Sequence, residues 1–298
     1  MVLEYDSGCI AARLEHSRKI LVNHVTFSLE EGETLALIGE TGSGKTMTAM
    51  SILHLLPYNV KMEGGRVLFL GQELTERKDI QPLLGVDMVY IPQNGLEFLN
   101  PSRTVRLHLY DSLKKLGIRG KTLEKAALEK LSAVGFEAPE QVIGKYPFQL
   151  SGGMAQRVTI AIAACSRAKL LIADEPTNGL DYAAKVRFLE MLTFLFPDAA
   201  KLVITHDITV AQLCRNTLVL CGGRMMEKGP SPKILTEPKH PYTKALIGAL
   251  VENGMKETAI LRQQAGDCPF FRRCPEAAET CCLARHCAGD TEWWCSHP

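Results

Sequence analysis

The residues from 39 to 46 combine types and spacing that could hold a phosphate group. They are Gly39, Glu40, Thr41, Gly42, Ser43, Gly44, Lys45 and Thr46, and they fit the pattern G-x-x-x-x-G-K-[ST]. In that pattern the glycines let the backbone aim N–H groups at phosphate oxygens, the lysine reaches the β- and γ-phosphates, and the last hydroxyl binds Mg²⁺. An apolar run at 34–38 and a helix-compatible run at 47–56 flank the stretch. We therefore predict a nucleotide phosphate site rather than a plain glycine-rich turn.

Two adjacent carboxylates, Asp174 and Glu175, follow an apolar run at 170–173 that is typical of a buried parallel strand. Ligands bind at the carboxyl ends of such strands in open α/β sheets. We expect Asp174 to hold Mg²⁺ through water and Glu175 to polarise an attacking water molecule. Taken alone, the pair fits a solvated acidic loop end equally well.

A second candidate anion site begins at Ser151, Gly152 and Gly153, which precede a helix-compatible run at 154–166. A serine and glycines before a helix expose backbone N–H groups at its positive end. The chain thus offers two phosphate-binding helix starts of different design.

Together with their neighbours, these segments resemble the ATPases of ABC transporters, in the family's order along roughly residues 30–230. Leu150–Arg157 resembles the signature loop, which in that family closes over ATP held by the phosphate loop of a partner subunit. Gln93 resembles the Q-loop glutamine, which reports Mg²⁺ and the γ-phosphate to the transmembrane partner. His206 resembles the switch histidine that contacts the γ-phosphate, and residues 176–181 resemble the D-loop.

The resemblance implies ATP and Mg²⁺ as cofactors and assigns roles to particular residues. Those expected to act in hydrolysis are Lys45, Gln93, Glu175 and His206. Those expected to bind Mg²⁺ are Thr46, Gln93 and Asp174. Those expected to contact nucleotide are residues 39–46 with Ser151, Gly152, Gly153, Gln156 and Asp181. The family also stacks adenine on an aromatic residue, but none stands at the corresponding position near Ala12, so no residue receives that role.

Three further segments resemble one branch of the family, the oligopeptide, dipeptide and nickel importers. They are Gln93–Pro101, His240–Leu246 and Cys268–Pro275. This branch implies a second ATPase subunit, two transmembrane permease subunits and, indirectly, an extracytoplasmic substrate-binding protein as partners. The resemblance does not choose among peptides, nickel and metal–chelator complexes as cargo.

The C-terminal region is rich in cysteine, with six of the ten cysteines between positions 268 and 295. Four thiolates can hold Zn²⁺ or a [4Fe–4S] cluster, although the paired C-x₂-C spacing common in zinc sites is absent. The register of the subfamily motif assigns Cys268, Cys274, Cys281 and Cys295 to an iron–sulfur cluster, with Cys282 and Cys287 as rivals for the third place. Zinc and plain free thiols remain alternatives. The other four cysteines, Cys9, Cys165, Cys214 and Cys221, have apolar neighbours and are expected in the core.

Strands that alternate with helices predict an α/β fold. The resemblance makes this a P-loop, RecA-like ABC nucleotide-binding domain with an N-terminal antiparallel β subdomain, a helical insert and a cysteine-rich C-terminal extension. We expect the ATPase core at 1–93 and 150–229, the helical insert at 94–149 and the extension at 230–298. Strands are predicted at Cys9–Leu14 and Ile20–Leu29, and Leu123, Ala127, Leu131 and Val134 form one apolar helix face in the insert.

Composition excludes some classes of protein. The net charge of +1 gives no strong attraction to nucleic acid, so no nucleic-acid partner is expected. The N-terminus lacks a secretory signal, and no apolar run reaches the ~18 residues of a membrane span. We expect a peripheral subunit on the cytoplasmic face of the inner membrane, an ATPase that couples hydrolysis to import. The alternatives are an ABC ATPase without a transport role and a redox-sensing iron–sulfur protein with a regulatory nucleotide site.

Overall fold

The chain folds as two units, the first of which is not continuous in sequence. The computed structural model describes residues 1–15, 17–250, 254–255, 258–261, 267–279, 281 and 283–296. The first unit contains residues 1–75 and 203–298, and the second contains residues 76–202. The predicted domain bounds at 93, 150 and 229 are drawn on motifs and stay a prediction.

The described residues form strands and helices in alternation. In chain order the strands are β1 (Leu3–Leu14), β2 (Ser17–Leu29), β3 (Thr34–Ile38), β4 (Val60–Phe69), β5 (Gln72–Glu73), β6 (Met88–Ile91), β7 (Leu170–Asp174), β8 (Ala200–Thr205), β9 (Asn216–Cys221), β10 (Arg224–Pro230), β11 (Arg285–Ala288) and β12 (Thr291–Trp294). The helices are α1 (Lys45–Ile52), α2 (Arg77–Ile80), α3 (Gly95–Phe98), α4 (Val105–Lys115), α5 (Thr122–Ala133), α6 (Pro139–Ile143), α7 (Gly152–Ala163), α8 (Tyr182–Leu195), α9 (Ile208–Gln212), α10 (Ser231–Thr236) and α11 (Pro241–Gly248), with a 3₁₀ turn at Pro147–Gln149.

An antiparallel sheet forms the N-terminal part of the first unit, as predicted. Its strand order is β2-β1-β4-β5. Alternate apolar side chains point to one face, and Val22, Val25, Phe27 and Leu29 of β2 are all buried. Both N-terminal strands extend beyond the predicted bounds because β1 pairs along its length with β2 and β4, so polar positions such as Glu4 are held by the ladder.

A mixed set of strands carries the rest of the first unit. β3 pairs in parallel with β9, and β9 pairs in antiparallel with β10. Four residues of β3, Leu35 to Ile38, are almost fully buried, as expected for a strand covered on both faces. Within the extension expected at 230–298, the terminal hairpin β11–β12 pairs with β10.

The second unit joins a parallel strand pair to a helical region. β6 and β7 pair in parallel, with Met88 opposite Leu170. Helices α4, α5 and α6 all contribute to one apolar core that includes Leu109 of α4 and Val158 of α7. The predicted helix face at Leu123, Ala127, Leu131 and Val134 is buried in that core.

Across the part of the chain that the structure describes, none of the helices has both the length and the apolar character needed to cross a bilayer.

Candidate functional site

The predicted phosphate loop lies between β3 and α1 and depends on three glycines with positive φ. These are Gly39 (φ +151°), Gly42 (φ +80°) and Gly44 (φ +100°). A Cβ atom on Gly39 would lie 2.1 Å from the Leu220 carbonyl oxygen, so no larger residue fits there without a backbone shift. Helix α1 starts directly from this loop, and its first turn contributes Lys45 and Thr46.

Polar groups of the phosphate loop turn inward. Lys45 is only 7% exposed, and its Nζ donates hydrogen bonds to the carbonyl oxygens of Gly39 (2.7 Å) and Glu40 (3.0 Å). The hydroxyl of Ser43 is buried without a hydrogen-bond partner among the described residues. Buried polar groups are normally paired, so an orphaned hydroxyl beside a buried ammonium suits a loop built to receive anionic oxygens.

Glu40 makes hydrogen bonds to residues far along the chain. Its N–H donates to the Tyr242 hydroxyl (3.0 Å), and its carboxylate accepts two hydrogen bonds from Arg273, both of 2.8 Å. We did not predict these partners from the sequence. Tyr242 lies within the His240–Leu246 motif and Arg273 lies next to a candidate ligand cysteine, but neither signal indicates a contact with the phosphate loop.

In the second unit, Asp174 ends β7 and is almost fully buried. The hydroxyl of Tyr90, on the neighbouring strand β6, donates to its Oδ2 (3.2 Å). Burial raises the pKa of Tyr90, and the Asp174 carboxylate raises it further. Tyr90 therefore stays a donor at physiological pH and orients the carboxylate that we assign to Mg²⁺. Glu175 follows with a φ of +45°, which residues with a Cβ atom rarely adopt.

Ser151 is the N-cap of α7, where its hydroxyl accepts a hydrogen bond from the N–H of Met154 (3.3 Å). Gly152 and Gly153 are exposed, and nothing lies within 4 Å of a Cβ built on either. The amide of Gln156 donates to the Pro176 carbonyl, so α7 is linked to the segment after Glu175. The start of α7 thus presents open glycine backbone at a helix N-terminus.

The other predicted residues lie at element ends. Asp181 is the N-cap of α8 and accepts a hydrogen bond from the Ala184 N–H (2.8 Å), so its carboxylate has a local structural role. Gln93 and His206 are exposed and follow β6 and β8. The phosphate loop and His206 belong to the first unit, whereas Gln93, Ser151, Asp174 and Glu175 belong to the second. Near the expected adenine position, Ala12 is a buried residue of β1.

A small cavity in the first unit is lined by the four cysteines that the motif register selects. These are Cys268, Cys274, Cys281 and Cys295. Burial raises the pKa of the Cys268 thiol to about 11, and the nearby Cys295, Cys274 and Cys281 add to this rise. Of the rivals for the third place, Cys287 is exposed on β11, and Cys282 lies outside the described residues.

The donor chemistry of this cavity fits a thiophilic metal group. Thiolates are the ligands that Zn²⁺ and iron–sulfur clusters prefer. His240 also lines the cavity, and its Nε2 makes no hydrogen bond of normal geometry to a described residue. Among the described residues, however, no three His, Cys, Asp or Glu groups are close enough to share one metal ion.

The remaining cysteines are not candidates for this group. Cys165, Cys214 and Cys221 are buried, and burial raises the pKa of each thiol to about 12. They are core residues, as predicted. Cys9, which was also expected in the core, is only half-buried, and its thiol lies 3.6 Å from the side-chain amide of Asn23.

Comparison with known proteins shows which protein family has these features. The profile of the ABC transporter family matches residues 22–178, and that of the oligopeptide/dipeptide transporter C-terminal region matches residues 226–281. The chain is 38% identical over 278 residues to the dipeptide transport ATP-binding protein DppD of Bacillus subtilis, which covers 87% of this chain and 82% of that protein. It is also 38% identical over 245 residues to the nickel import ATP-binding protein NikD of Rhodospirillum rubrum, covering 81% and 92%.

Solved structures agree with the fold. The bacterial ABC transporter cassette MJ0796 superposes with a TM-score of 0.68 at 24% identity, over 77% of this chain and 98% of that one. At that identity the likeness bears on the fold alone. Taken with the matched profiles and the curated relatives, these findings show that the chain belongs to the ATP-binding subunits of ABC transporters, in the oligopeptide, dipeptide and nickel importer branch, and that it is an ATPase coupled to transport.

Proposed function

We propose that this chain is the ATP-hydrolysing subunit that drives the import of peptides, or of nickel or its chelates. The observation that carries the proposal is the match of residues 226–281 to the oligopeptide/dipeptide transporter C-terminal region, a segment outside the general ATPase profile. The names of the relatives DppD and NikD keep both classes of cargo open.

ATP binds at the phosphate loop of residues 39–46 in this proposal. The inward Lys45 ammonium exchanges its contacts with loop carbonyls for the β- and γ-phosphates. The hydroxyl of Thr46 and the carboxylate of Asp174, with Gln93, supply hard oxygen ligands suited to Mg²⁺. Bound Mg²⁺ neutralises phosphate charge. The Tyr90 hydroxyl supports this role because it holds the Asp174 carboxylate in one orientation.

Hydrolysis rests on Glu175 and His206. Glu175 orients the attacking water, and His206 secures the γ-phosphate, so catalysis is mainly positioning and charge stabilisation. The exposed Ser151, Gly152 and Gly153 face the nucleotide of a second ATPase subunit, with Gln156 and Asp181 supporting that contact. The open glycine backbone at the start of α7 supports this assignment, because it leaves room for a triphosphate from outside.

The second unit docks on the permease subunits at the cytoplasmic face of the membrane. Apolar side chains that follow Gln93 support this docking, since Leu96 is 37% exposed and Phe98 is 53% exposed. Neighbouring exposed apolar residues mark interaction surfaces more often than isolated ones do. In this proposal, an extracytoplasmic binding protein selects the cargo.

The cysteine-lined cavity holds an iron–sulfur cluster in this proposal. Ligands of one Zn²⁺ each lie about 2.3 Å from the same ion. A [4Fe–4S] cluster is held by four cysteines, each on its own iron, so the sulfurs stand further apart. The four thiols that line this cavity are those that the subfamily motif register selects for an iron–sulfur cluster, and this agreement supports the larger group. The cluster would link the cysteines of the C-terminal segment to one another and so stabilise the fold of that segment.

The two alternative functions are less favoured. An ABC ATPase without a transport role does not account for the match of residues 226–281 to a transporter region. A redox sensor with a regulatory nucleotide site does not account for the likeness of the whole chain to transport ATPases.

The proposal is tested in a complex reconstituted with permease subunits and a binding protein of the same transporter. Cargo-loaded binding protein should stimulate ATP hydrolysis, with dipeptides and Ni²⁺ added separately to identify the class. Stimulation by neither class would contradict the proposed import function. Basal hydrolysis without stimulation by any cargo would favour the non-transport alternative.

The role of Glu175 is tested in the same complex with Glu175→Gln. The amide keeps the size of the side chain but cannot polarise water, so ATP binding should persist while hydrolysis falls by at least about a hundredfold. Nucleotide binding is measured directly by equilibrium titration. Unchanged turnover would remove Glu175 from its assigned role.

A further inference from the structure

A short segment of the cysteine-rich region contacts the phosphate loop directly. This segment, Cys268–Cys274, is called the strap here, and both the strap and the loop belong to the first unit. The contact is a two-bond ion pair between the guanidinium of Arg273 and the carboxylate of Glu40, with both N–O distances 2.8 Å. Paired hydrogen bonds of this kind are the strongest and most directional that arginine makes.

The arginine is held from several sides. Its guanidinium lies 5.2 Å from the centre of the Phe270 ring, and the side chain is only 28% exposed. Phe270 in turn packs edge-on against Tyr242 at 5.4 Å, and both rings are about 1% exposed. The Tyr242 hydroxyl accepts the N–H of Glu40. Arg273 is therefore fixed in place, and Glu40 is gripped at both its backbone and its side chain.

A second set of contacts connects the strap to the phosphate loop. Pro269 packs against Gly222 so closely that a Cβ on this glycine would lie 2.6 Å from the Pro269 Cβ. The next residue, Gly223, donates its N–H to the carbonyl oxygen of Ser43 (3.0 Å). Two separate residues of the phosphate loop are thus connected to one segment that begins and ends at cavity-lining cysteines.

The charge at Glu40 gives this contact a consequence for nucleotide affinity. A carboxylate inside a phosphate-binding loop repels a triphosphate, and because the Glu40 side chain is 47% exposed, solvent reduces this repulsion without removing it. Arg273 neutralises that charge and turns the carboxylate toward the strap. Without the guanidinium, the negative charge remains beside the site and the loop loses one of its anchors.

We propose that Arg273 is a positioning residue of the ATP site, by which the cysteine-rich region sets the affinity of the phosphate loop for nucleotide. The inference rests on the proposed binding of ATP at residues 39–46. It adds a role for the C-terminal region that is separate from cargo and from permease docking. Because Arg273 precedes the cavity-lining Cys274, any change in the strap is transmitted to Glu40.

The test compares Arg273→Met, Glu40→Gln and the double variant in the full-length chain assembled with its permease. Arg273→Met should raise the KM for ATP and the Kd for a fluorescent ATP analogue about three- to tenfold, with kcat within about twofold. Glu40→Gln changes the phosphate loop itself, so its own affinity for ATP is the reference with which the double variant is compared. The double variant should recover most of the affinity, because the unpaired charge is then absent.

If Arg273 had only a structural role, the double variant would not recover ATP affinity. Equal weakening in the single and double variants would overturn the proposal, and so would unchanged affinity in Arg273→Met. Should Arg273→Met fail to fold, Arg273→Lys provides the same test, since a lysine keeps the charge but loses the two-bond geometry and should weaken binding by a smaller factor.

A matched control is the exposed ion pair of Lys233 and Asp290, which joins other parts of the first unit at 2.6 Å. Lys233→Met removes a cation and an ion pair without touching the phosphate loop, and it should leave ATP affinity unchanged. A loss of affinity in Lys233→Met equal to that in Arg273→Met would overturn the specific role of Arg273. Failure of the unmodified chain to bind ATP would instead contradict the proposed function.

Discussion

Glu175 holds a backbone conformation that is costly for any residue with a side chain. Its φ is +45°, and it lies between the buried Asp174 and a proline that further restricts its backbone. Strain of this kind costs about 1–3 kcal/mol and persists mainly where the surrounding structure imposes it for function. The observation supports the assignment of Glu175 as the residue that orients water, because it fixes the direction in which the side chain leaves the strand end.

A prediction at the residue scale concerns Tyr90. Tyr90→Phe removes the hydroxyl that donates to Asp174 and leaves a buried carboxylate with one bond fewer. We expect the Mg²⁺ concentration for half-maximal hydrolysis to rise about tenfold, because groups that orient a metal ligand contribute at least this much to metal affinity.

Tyr110→Phe is the matched control for this change. It deletes the same atom in the same unit, where the hydroxyl donates to the half-exposed Glu124. Titration of ATPase activity with MgCl₂ at saturating ATP measures both variants. An equal Mg²⁺ dependence in Tyr90→Phe and the unmodified chain would show that Asp174 needs no support from Tyr90.

At the scale of elements, the short helix α3 carries the exposed apolar residues Leu96 and Phe98 and lies next to α7. A Cβ on Gly95 would lie 3.0 Å from the backbone of Ala155, so α3 packs directly on α7. Ser151 caps that same helix. A shift of α3 on docking would therefore reach the signature loop through one rigid contact, which is how we expect the permease and the ATP site to be coupled.

The corresponding prediction is that Phe98→Asp uncouples the ATPase from its permease. The side chain is 53% exposed, so the folded state should tolerate the change, whereas an apolar docking surface would not. We expect basal hydrolysis by the isolated chain to be retained and recovery of the assembled complex to fall at least fivefold.

Phe194→Asp, on α8 of the same unit and 78% exposed, is the control for added charge at an exposed aromatic position. Assembly is measured by co-purification with tagged permease subunits. If both variants assemble equally well, α3 does not form the docking surface.

At the scale of the whole molecule, the C-terminal region returns to the strands of the first unit. The hairpin β11–β12 pairs with β10, and β12 is followed directly by Cys295. The same region contacts the phosphate loop through Arg273. A nucleotide loop and a cysteine-lined cavity are therefore parts of one folded unit.

The prediction at this scale is the metal content of the protein. Anaerobically purified chain should contain about four iron and four sulfide per molecule, as a [4Fe–4S] cluster requires. Cys268→Ser should abolish this content because its thiol lines the cavity, whereas Cys287→Ser should retain it because that thiol is exposed on β11.

Colorimetric iron and sulfide assays with the visible absorption spectrum give the readout. One zinc per chain and no sulfide would identify the alternative metal. Equal loss of iron in Cys268→Ser and Cys287→Ser would contradict the assignment of ligands.

The local parts of the site were predictable from the sequence. A phosphate loop needs glycines at set intervals, a lysine, and a strand and helix on either side, and all of these lie within neighbouring positions of the chain. The buried strand before Asp174, the apolar helix face around Ala127 and the N-terminal antiparallel strands follow from periodicity of the same short range. The strand lengths were less predictable, because the pairing of β1 with two neighbours extends it over polar residues.

Only the tertiary structure decided the contacts between distant positions. Glu40 and Arg273 are separated by 233 residues, and Tyr90 and Asp174 by 84. No sequence pattern predicts either contact, since an arginine or a tyrosine is equally compatible with an exposed position. The phosphate loop and the buried strand before Asp174 were predictable from residue type and spacing because their patterns are local, whereas the roles of Glu175 and of the four selected cysteines were predicted from the family resemblance. The partners that orient them depend on how the chain folds back on itself, because a hydrogen bond is specified by position in space.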